Sequence, residues 1–491
     1  MTSFRELRQA RLAAERGTIY RQGDLALALC YPSPYHVAMS SLGFQTIYRE
    51  LNALPGVVAE RAFLPDDVAA ARLQHEVLRT YESDRPVADF HVVAFSLAYE
   101  LEIAGLVHCL DLAGLPVLAA EREASARRWP LVVVGGPLTF SNPVPAGPMA
   151  DVIIMGEAED ALPILIELVR GSSSKDRLLA ELDRRAGFFV PALRGDKPAA
   201  ILAASNTRLP AHSQIVTPHT ELADMFLIEA ARGCSRTCTY CVMRRSTNGG
   251  MRKVEPDQIL ARIPDDARRV GLVGAAVTDH PRLPVILRAL VDSGRQIGVS
   301  SLRADRLNDE LVGLLAAGGY RTLTTASDGA SQQMRDRIRR GTSEENLRNA
   351  ARLCQAHGMS ALKLYMLLGL PGETTTDVDE LIRFALELSA LAPRLVITVA
   401  PFVAKRNTPL DGAPFEDIPT LDDKLARLRA GLRGRVKLMG ESPKWAWIEY
   451  RLAQGGPAEG RAAITAARAG GSFAAWKAAL GPQDQAGPGE S

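Results

Sequence analysis

A strand followed by a helix recurs about six times between residues 222 and 418, and this repeat constrains the fold more than any other feature of the chain. The helical segments carry apolar residues at a spacing near 3.6, as amphipathic helices do. Such alternation predicts parallel strands, and in a barrel of parallel strands the reactive groups gather at the carboxyl ends. The strands are predicted at residues 225–229, 269–273, 297–302, 322–326, 361–368 and 396–400.

Residues 21–200 show a second alternation, which predicts a doubly wound, Rossmann-like parallel sheet. Ligands bind beyond the carboxyl ends of the strands in such sheets. Those ends include Ser96, the turn at Gly135 and Gly136, and residues 156–159, where glycine serves either close approach of a ligand or a tight turn. The strands are predicted at residues 25–31, 90–96, 116–118, 131–134 and 152–155, with a helix at 45–51.

Cys234, Cys238 and Cys241 form a C-x3-C-x2-C cluster directly after the first predicted barrel strand. Four cysteines would complete the ligation of a cubane iron–sulfur cluster, whereas three leave one iron open. The spacing therefore indicates an open iron–sulfur cluster. A zinc site, which normally takes four ligands, a disulfide framework, which suits small secreted chains, and accident are the alternatives. The remaining cysteines stand apart in apolar sequence, as packed thiols do: Cys30, Cys109 and Cys354.

With aromatic Tyr240 just before its last cysteine, the cluster resembles the signature of the radical S-adenosylmethionine (SAM) enzymes. The resemblance implies that the three cysteines bind a 4Fe-4S cluster and that the amino and carboxylate groups of SAM chelate the fourth iron. It also implies reductive cleavage of SAM to a 5′-deoxyadenosyl radical, with the protein positioning the cofactors and excluding competing reactions. The six strand–helix units resemble the partial β/α barrel of that family.

The same resemblance assigns the ends of the barrel strands to SAM. The backbone at Gly274, Ala275 and Ala276 lies where the family carries carbonyls that accept from the amino group of SAM. Ser301 and Arg303 follow the third strand and are candidates to bind the carboxylate group of SAM. A guanidinium binds a carboxylate through two parallel hydrogen bonds. The further candidates are Tyr240 beside the cluster, Ser327 or Asp328 for the ribose, Gly369 in the turn beside the adenine, and Pro401 on the closing strand.

The first segment resembles the cobalamin-binding-type domain that precedes the barrel in a large radical SAM subgroup. The matching stretches are residues 31–43, 134–143 and 156–159. No Asp-x-His-x-x-Gly motif occurs, so the histidine that displaces the lower base of cobalamin in many corrinoid proteins has no counterpart. The resemblance implies the fold and makes cobalamin a candidate additional cofactor.

The predicted architecture is therefore α/β, in six regions of the 491-residue chain. Turn-rich composition marks the linker, and polar composition indicates a disordered tail. The regions are a helical lead-in at 1–20, the cobalamin-binding-type domain at 21–200, the linker at 201–221, the barrel at 222–418, a small helical region at 419–480 and the tail at 481–491.

Composition excludes several classes of protein. Hydrophobic residues make up 47% of the chain and charged residues 23%, which is ordinary for a soluble globular protein. No apolar run reaches the roughly 20 residues that span a bilayer, and the charged start lacks the core of a signal peptide. We therefore expect a cytoplasmic protein with no membrane partner. A net charge of +2 gives no global field to attract nucleic acid.

We expect a radical SAM enzyme whose candidate reaction is cobalamin-dependent methylation of an unactivated carbon. The substrate is a small molecule or otherwise unidentified, and a reductase such as flavodoxin or ferredoxin is the expected electron donor. One alternative is a methylthiotransferase-like RNA-modifying enzyme, although such proteins carry a second cysteine trio where this chain has only Cys30 and Cys109. The other is an iron–sulfur redox sensor or scaffold, which would not need the SAM-facing strand ends.

Overall fold

The computed structural model describes residues 3–244, 250–300 and 302–481. Six strands of the amino-terminal domain form one sheet: β1 (Leu25–Tyr31), β2 (Val57–Phe63), β3 (Val92–Ser96), β4 (Leu131–Gly135), β5 (Val152–Ile154) and β6 (Phe188–Phe189). Their order is β2-β1-β3-β4-β5-β6, with β1 to β5 parallel and β6 antiparallel at the edge. The predicted doubly wound sheet is confirmed, and its strand order reverses between β1 and β3, the place where such folds form a ligand crevice.

Nine helices accompany this sheet in the described part of the domain and its lead-in. They are α1 (Phe4–Ala13), α2 (Tyr35–Ala38), α3 (Leu42–Ala53), α4 (Val68–Leu73), α5 (Glu102–Leu112), α6 (Ala119–Glu123), α7 (Ala161–Gly171), α8 (Lys175–Asp183) and α9 (Pro191–Arg194). All seven residues of β1 are buried, as expected for a parallel strand covered by helices on both faces.

Strand β2 was not predicted from the sequence, because it carries two charged residues in its centre. Arg61 is fully buried and pairs with Glu15 at 2.7 Å and with Glu82 at 2.6 Å. Its neighbour Glu60 accepts a hydrogen bond from the Thr80 hydroxyl at 2.5 Å. Buried charges are tolerated when they are paired in this way. The strand predicted at residues 116–118 is wrong, because that segment bends into α6. Val117 of the segment is buried in the core.

The second half of the chain contains the barrel. Its strands are β7 (Met225–Glu229), β8 (Ala231–Gly233), β9 (Met251–Lys253), β10 (Arg269–Val273), β11 (Gln296–Val299), β12 (Thr322–Asp328), β13 (Ala361–Leu368) and β14 (Leu395–Pro401). Its helices are α10 (Pro256–Leu260), α11 (Leu283–Asp292), α12 (Asp309–Ala317), α13 (Gln332–Arg337), α14 (Glu344–Ala356) and α15 (Thr375–Leu391). All six predicted barrel strands are therefore present.

The carboxy-terminal region consists of α16 (Ile418–Leu432), β15 (Lys437–Gly440), α17 (Pro443–Gln454), α18 (Pro457–Arg468) and α19 (Phe473–Leu480). The region is helical as predicted, but β15 also adds a parallel strand to the barrel beside β14. The sheets run β11-β10-β7 and β12-β13-β14-β15, and a bridge between Leu302 and Thr325 joins them. Helix α18 packs back on α5 of the first domain.

The linker predicted at 201–221 is bonded to both domains. Leu202 forms a parallel bridge with Gly156 at the end of β5. Farther on, the Ser213 amide donates to the Leu227 carbonyl and the Glu229 amide donates to the Ala211 carbonyl, each at 2.8 Å. The linker thus continues one sheet and covers the free edge of β7 in the other. Within the described ranges, the longer helices are all too polar or too short to cross a bilayer.

Candidate functional site

The three clustered cysteines lie in the loop between β8 and β9, which pair as an antiparallel hairpin at the carboxyl end of β7. Gly233 enters the loop with a φ of 81°, a conformation that glycine adopts without steric cost. Cys238 is 5% exposed, whereas Cys234 and Cys241 are half-buried. Burial raises the pKa of Cys241, and the charges of the Cys238 and Cys234 thiols raise it further.

Each of these sulfurs faces a nitrogen donor. The Arg236 amide donates to the Cys234 sulfur at 3.4 Å, and the backbone of Met243 hydrogen-bonds Cys241. At Cys238 the donor is the Arg340 guanidinium, which reaches the loop from the segment after α13. Such donors stabilise thiolate charge, and hydrogen bonds to cluster sulfurs are one determinant of cluster potential.

Arg236, inside the cysteine loop, ties it to the ends of two other barrel strands. Its guanidinium donates two hydrogen bonds of 2.9 Å to Asp279, after β10, and lies 3.3 Å from Asp305, after β11. Burial alone would raise the pKa of Asp279, but the bonds and charge of Arg236 outweigh it and lower that pKa. The loop is therefore held by a paired carboxylate, a contact that the sequence analysis missed.

Tyr240 and Asp328 meet at the cluster loop. The Tyr240 hydroxyl donates to a carboxylate oxygen of Asp328 at 2.5 Å, and Arg340 lies 2.7 Å from the same oxygen. Burial raises the pKa of Tyr240, and Asp328 raises it further, so the phenol stays protonated as a donor. Asp328 has a φ of 62° at a register shift that ends β12. That kink directs its side chain toward the cysteines.

The other predicted cofactor contacts fall in several places. Gly274 offers a carbonyl, which accepts from Ser300 at 2.9 Å, while Ala275 beside it is exposed and Ala276 is buried. Ser327 is buried behind the strand, 3.4 Å from the Arg335 guanidinium. Of the two ribose candidates, the structure thus brings only Asp328 to the loop. Ser301 lies outside the described residues.

Arg303 is buried among carboxylates. Its guanidinium lies 2.9 Å from Asp305 and 3.6 Å from Asp279. The Nε and Nη2 atoms are nevertheless without a well-directed hydrogen bond, because ion-pair distance alone does not provide hydrogen-bond geometry. The side chain predicted to bind the carboxylate of SAM therefore stands next to the aspartates that anchor Arg236.

Gly369 and Pro401 end neighbouring strands. Gly369 has a φ of 82°, and its amide donates to the buried Glu373 carboxylate at 2.8 Å. Glu373 in turn pairs with Lys424 of α16 at 3.0 Å. Pro401 is buried at the end of β14, level with Leu368. These residues hold the shape of the strand ends.

The hairpin around the cysteines also reaches into the first domain. Arg232 of β8 pairs with Glu159 at 2.7 Å and with Glu157 at 3.2 Å, and Arg252 of β9 pairs with Glu157 as well. A second contact joins Lys405, after β14, to Glu100 at 2.5 Å. The Glu-Ala-Glu stretch after β5 therefore binds the barrel. The sequence signal for this contact is Arg232, two residues before the first cysteine.

All six cysteines are free, so the disulfide alternative is wrong. Cys30 and Cys109 are fully buried in the core of the first domain. Within the described ranges, no three Cys, His, Asp or Glu side chains are grouped closely enough to hold a single metal ion. The donor set at the loop, three neighbouring thiols each with its own N–H donor, suits a soft metal–sulfur cluster.

Two family models match the chain. "Radical SAM proteins, N-terminal" covers residues 43–191, and "Radical SAM superfamily" covers residues 228–385, including the three cysteines. An uncharacterized protein of Methanocaldococcus jannaschii is 29% identical over 292 residues, which is 58% of this chain and 62% of that protein. The ribosomal protein uS12 methylthiotransferase RimO of Acidothermus cellulolyticus is 26% identical over 41% of this chain and 45% of its own length.

Among solved structures, the cobalamin-dependent SAM radical enzyme OxsB, with aqua-cobalamin and SAM bound, is similar with a TM-score of 0.52 and 16% identity. The match covers 84% of this chain and 56% of OxsB. This chain thus spans between 45% and 62% of the length of these relatives. At that identity the likeness concerns the fold, a Rossmann-like domain followed by a partial barrel.

The fold is that of a β/α-barrel protein with three cysteines in the loop after its first strand. The chain belongs to the radical SAM superfamily, whose members use a 4Fe-4S cluster and SAM.

Proposed function

We propose that Cys234, Cys238 and Cys241 bind the 4Fe-4S cluster and that SAM occupies the open iron, making this protein a radical enzyme. The observation that carries the proposal is the loop itself, in which three free thiols lie together with a nitrogen donor at each sulfur. Once bound and reduced by a donor such as flavodoxin or ferredoxin, the two cofactors supply one-electron cleavage of SAM to a 5′-deoxyadenosyl radical.

The chain's own residues place these groups. Asp279 holds the loop through Arg236, and Arg340 sets a positive charge beside Cys238. Asp328, with Tyr240 bonded to one of its oxygens, is our candidate for the ribose hydroxyls. The exposed backbone at Ala275 is our candidate for the amino group of SAM. The first domain, clamped over the loop by Arg232, would exclude water from the radical.

The test is anaerobic reconstitution followed by measurement of 5′-deoxyadenosine under reducing conditions. We expect the product from the wild-type protein, and we expect its loss together with cluster iron in Cys238→Ala. Cys354→Ala, which removes a cysteine from α14 far along the chain, serves as the matched control and should retain both. Full cluster occupancy with no 5′-deoxyadenosine would contradict the proposal and favour a sensor or scaffold.

Cobalamin-dependent methylation is a second candidate, supported by the strand order of the first domain and by the likeness to OxsB. The residues of the first domain do not form a cradle for a corrin ring in this structure. Glu102 fills the crevice between β1 and β3, accepting from Ser33 at 2.9 Å and from the Ala98 amide at 2.5 Å. A Cβ on Gly136 would lie 2.6 Å from the Leu97 carbonyl, so this glycine serves tight packing.

Purification with cobalamin supplied, followed by a visible spectrum and an assay of S-adenosylhomocysteine, tests the second candidate. A corrinoid band with that product would establish methylation. RNA methylthiolation has less support, because Cys30 and Cys109 are buried core thiols and the RimO match covers 41% of the chain.

A further inference from the structure

The inner face of the barrel carries two rows of side chains across β13, β14 and β15. On β13, Leu362 and Leu364 are buried against the helices, so the alternate residues Lys363 and Tyr365 point to the other face. Register then places Thr398 and Met439 in line with Tyr365, and Val396 and Lys437 in line with Lys363. An upper row runs Tyr365, Thr398, Met439, and a lower row runs Lys363, Val396, Lys437.

The upper row is open although it lies on the interior of the barrel. Tyr365 is 38% exposed and Met439 is 45% exposed. The hydroxyl oxygen of Thr398, between them, is buried and has no hydrogen-bond partner in the described structure. Large side chains exposed inside a concave surface, with an unsatisfied polar group among them, are typical of a ligand pocket.

The lower row carries positive charge that the protein does not neutralise. Among the residues that the structure describes, neither Lys363 nor Lys437 has a carboxylate within 4.0 Å, whereas Lys405 and Lys424 each have two carboxylate partners. The Lys363 ammonium instead lies 4.7 Å from the centre of the Tyr365 ring. Two like charges on one inner face, separated by one strand, are placed to share an anion.

We propose that these two rows bind an acidic substrate, with Lys363 and Lys437 holding a carboxylate or phosphate group and Tyr365 contacting the body of the molecule. This inference rests on the proposed function, because it assigns the substrate class of the same barrel. Leu367, two residues beyond Tyr365, and Tyr240 of the cysteine loop pack against the same small hydrophobic cluster. At about 3.3 Å per residue, the lysine row lies about 13 Å below that level.

The substrate is therefore an elongated acid that reacts at the end remote from its anionic group. That geometry separates the negative charge from the cluster thiolates. It also predicts that a small acid can occupy the lysine row without reaching the reaction centre.

Binding of two probes to the full-length reconstituted protein tests the site. Calorimetric titration with inorganic phosphate and, separately, with glutarate distinguishes the two anion chemistries. We expect saturable binding of at least one probe, weakened at least about fivefold in Lys363→Met and in Lys437→Met. Lys477→Met, which removes the same charge from the exposed face of α19, should bind as the wild type does.

Absence of saturable binding of both probes, or equal weakening in Lys477→Met, would overturn the inference. Thermal melting of each variant separates loss of the site from loss of the fold. The wild-type 5′-deoxyadenosine assay is independent of the probes. A protein that binds the anion but forms no 5′-deoxyadenosine disproves the proposed function alone, and the converse result disproves the acidic-substrate site alone.

Discussion

Replacing Arg340 with methionine should make the bound cluster harder to reduce. The guanidinium hydrogen-bonds Cys238 and pairs with Asp328 at 2.7 Å. Burial alone would lower the pKa of Arg340, but Asp328, Tyr240 and Cys238 together raise it, so the group is a permanent cation beside the cluster. A cation stabilises the more negative, reduced state, and its loss removes that stabilisation.

The size of the effect follows from Coulomb's law. At an effective dielectric constant of about 20, unit charges about 6 Å apart interact by about 3 kcal/mol. For a one-electron couple, where 59 mV corresponds to a tenfold change in the equilibrium constant, this is about 120 mV. We therefore expect the midpoint potential of Arg340→Met to fall by about 100 mV. In Arg340→Met/Asp328→Asn the fall should be smaller, since the uncompensated carboxylate is also gone.

A redox titration followed by electron paramagnetic resonance measures this potential directly. Arg352→Met is the matched control, because Arg352 pairs with Glu345 on the exposed face of α14 and lies in the same half of the barrel. Its potential should equal that of the wild type. A potential in Arg340→Met that is unchanged or higher would refute the assignment of a cationic donor at Cys238.

Three further predictions concern the framework around the site. Arg232→Met leaves Glu159 and Glu229 without their partner and Glu157 with Arg252 alone, and it should lower the free energy of unfolding by about 3 kcal/mol in urea titrations, whereas Arg288→Met, which breaks an exposed pair, should change it little. Burial raises the pKa of Glu102 above its ordinary value of 4.5. The contribution of this carboxyl group to stability is therefore full at acid pH and is lost as the pH rises through the raised pKa. Glu102→Gln should flatten that part of the stability profile. Gly136→Ala, at a φ of 101° with the Leu97 carbonyl 2.6 Å from the new Cβ, should lower the melting temperature by a strain of about 1–3 kcal/mol, and Gly135→Ala, whose Cβ meets nothing nearer than 3.8 Å, should not.

The sequence predicted those parts of the fold in which one physical signal dominates. Six barrel strands and the strand β1 are apolar runs that end at turns, and periodicity identifies them. Strand β2 was missed because Glu60 and Arg61 break its apolar pattern, and their partners lie elsewhere in the chain. Strand β15 was missed because its four residues follow a basic helix and gain a sheet only from β14.

The candidate site divides in the same way. Spacing alone identified the three cysteines and placed them after the first barrel strand. Spacing could not show that Arg340 reaches Cys238, or that Asp279 holds Arg236, because these contacts join segments that are far apart in sequence. The choice between Ser327 and Asp328 depended on the kink that ends β12, which is a property of the folded backbone.

The pairing of the linker with β7 has a consequence for how this protein can be divided. A cut within residues 201–221 would expose the edge of β7 and leave Arg232 and Arg252 without Glu157 and Glu159. The barrel is therefore not a transplantable module, even though a separate family model matches it. Fragments that begin at the first barrel strand should aggregate through that open edge, and the shortest folding unit should include both domains.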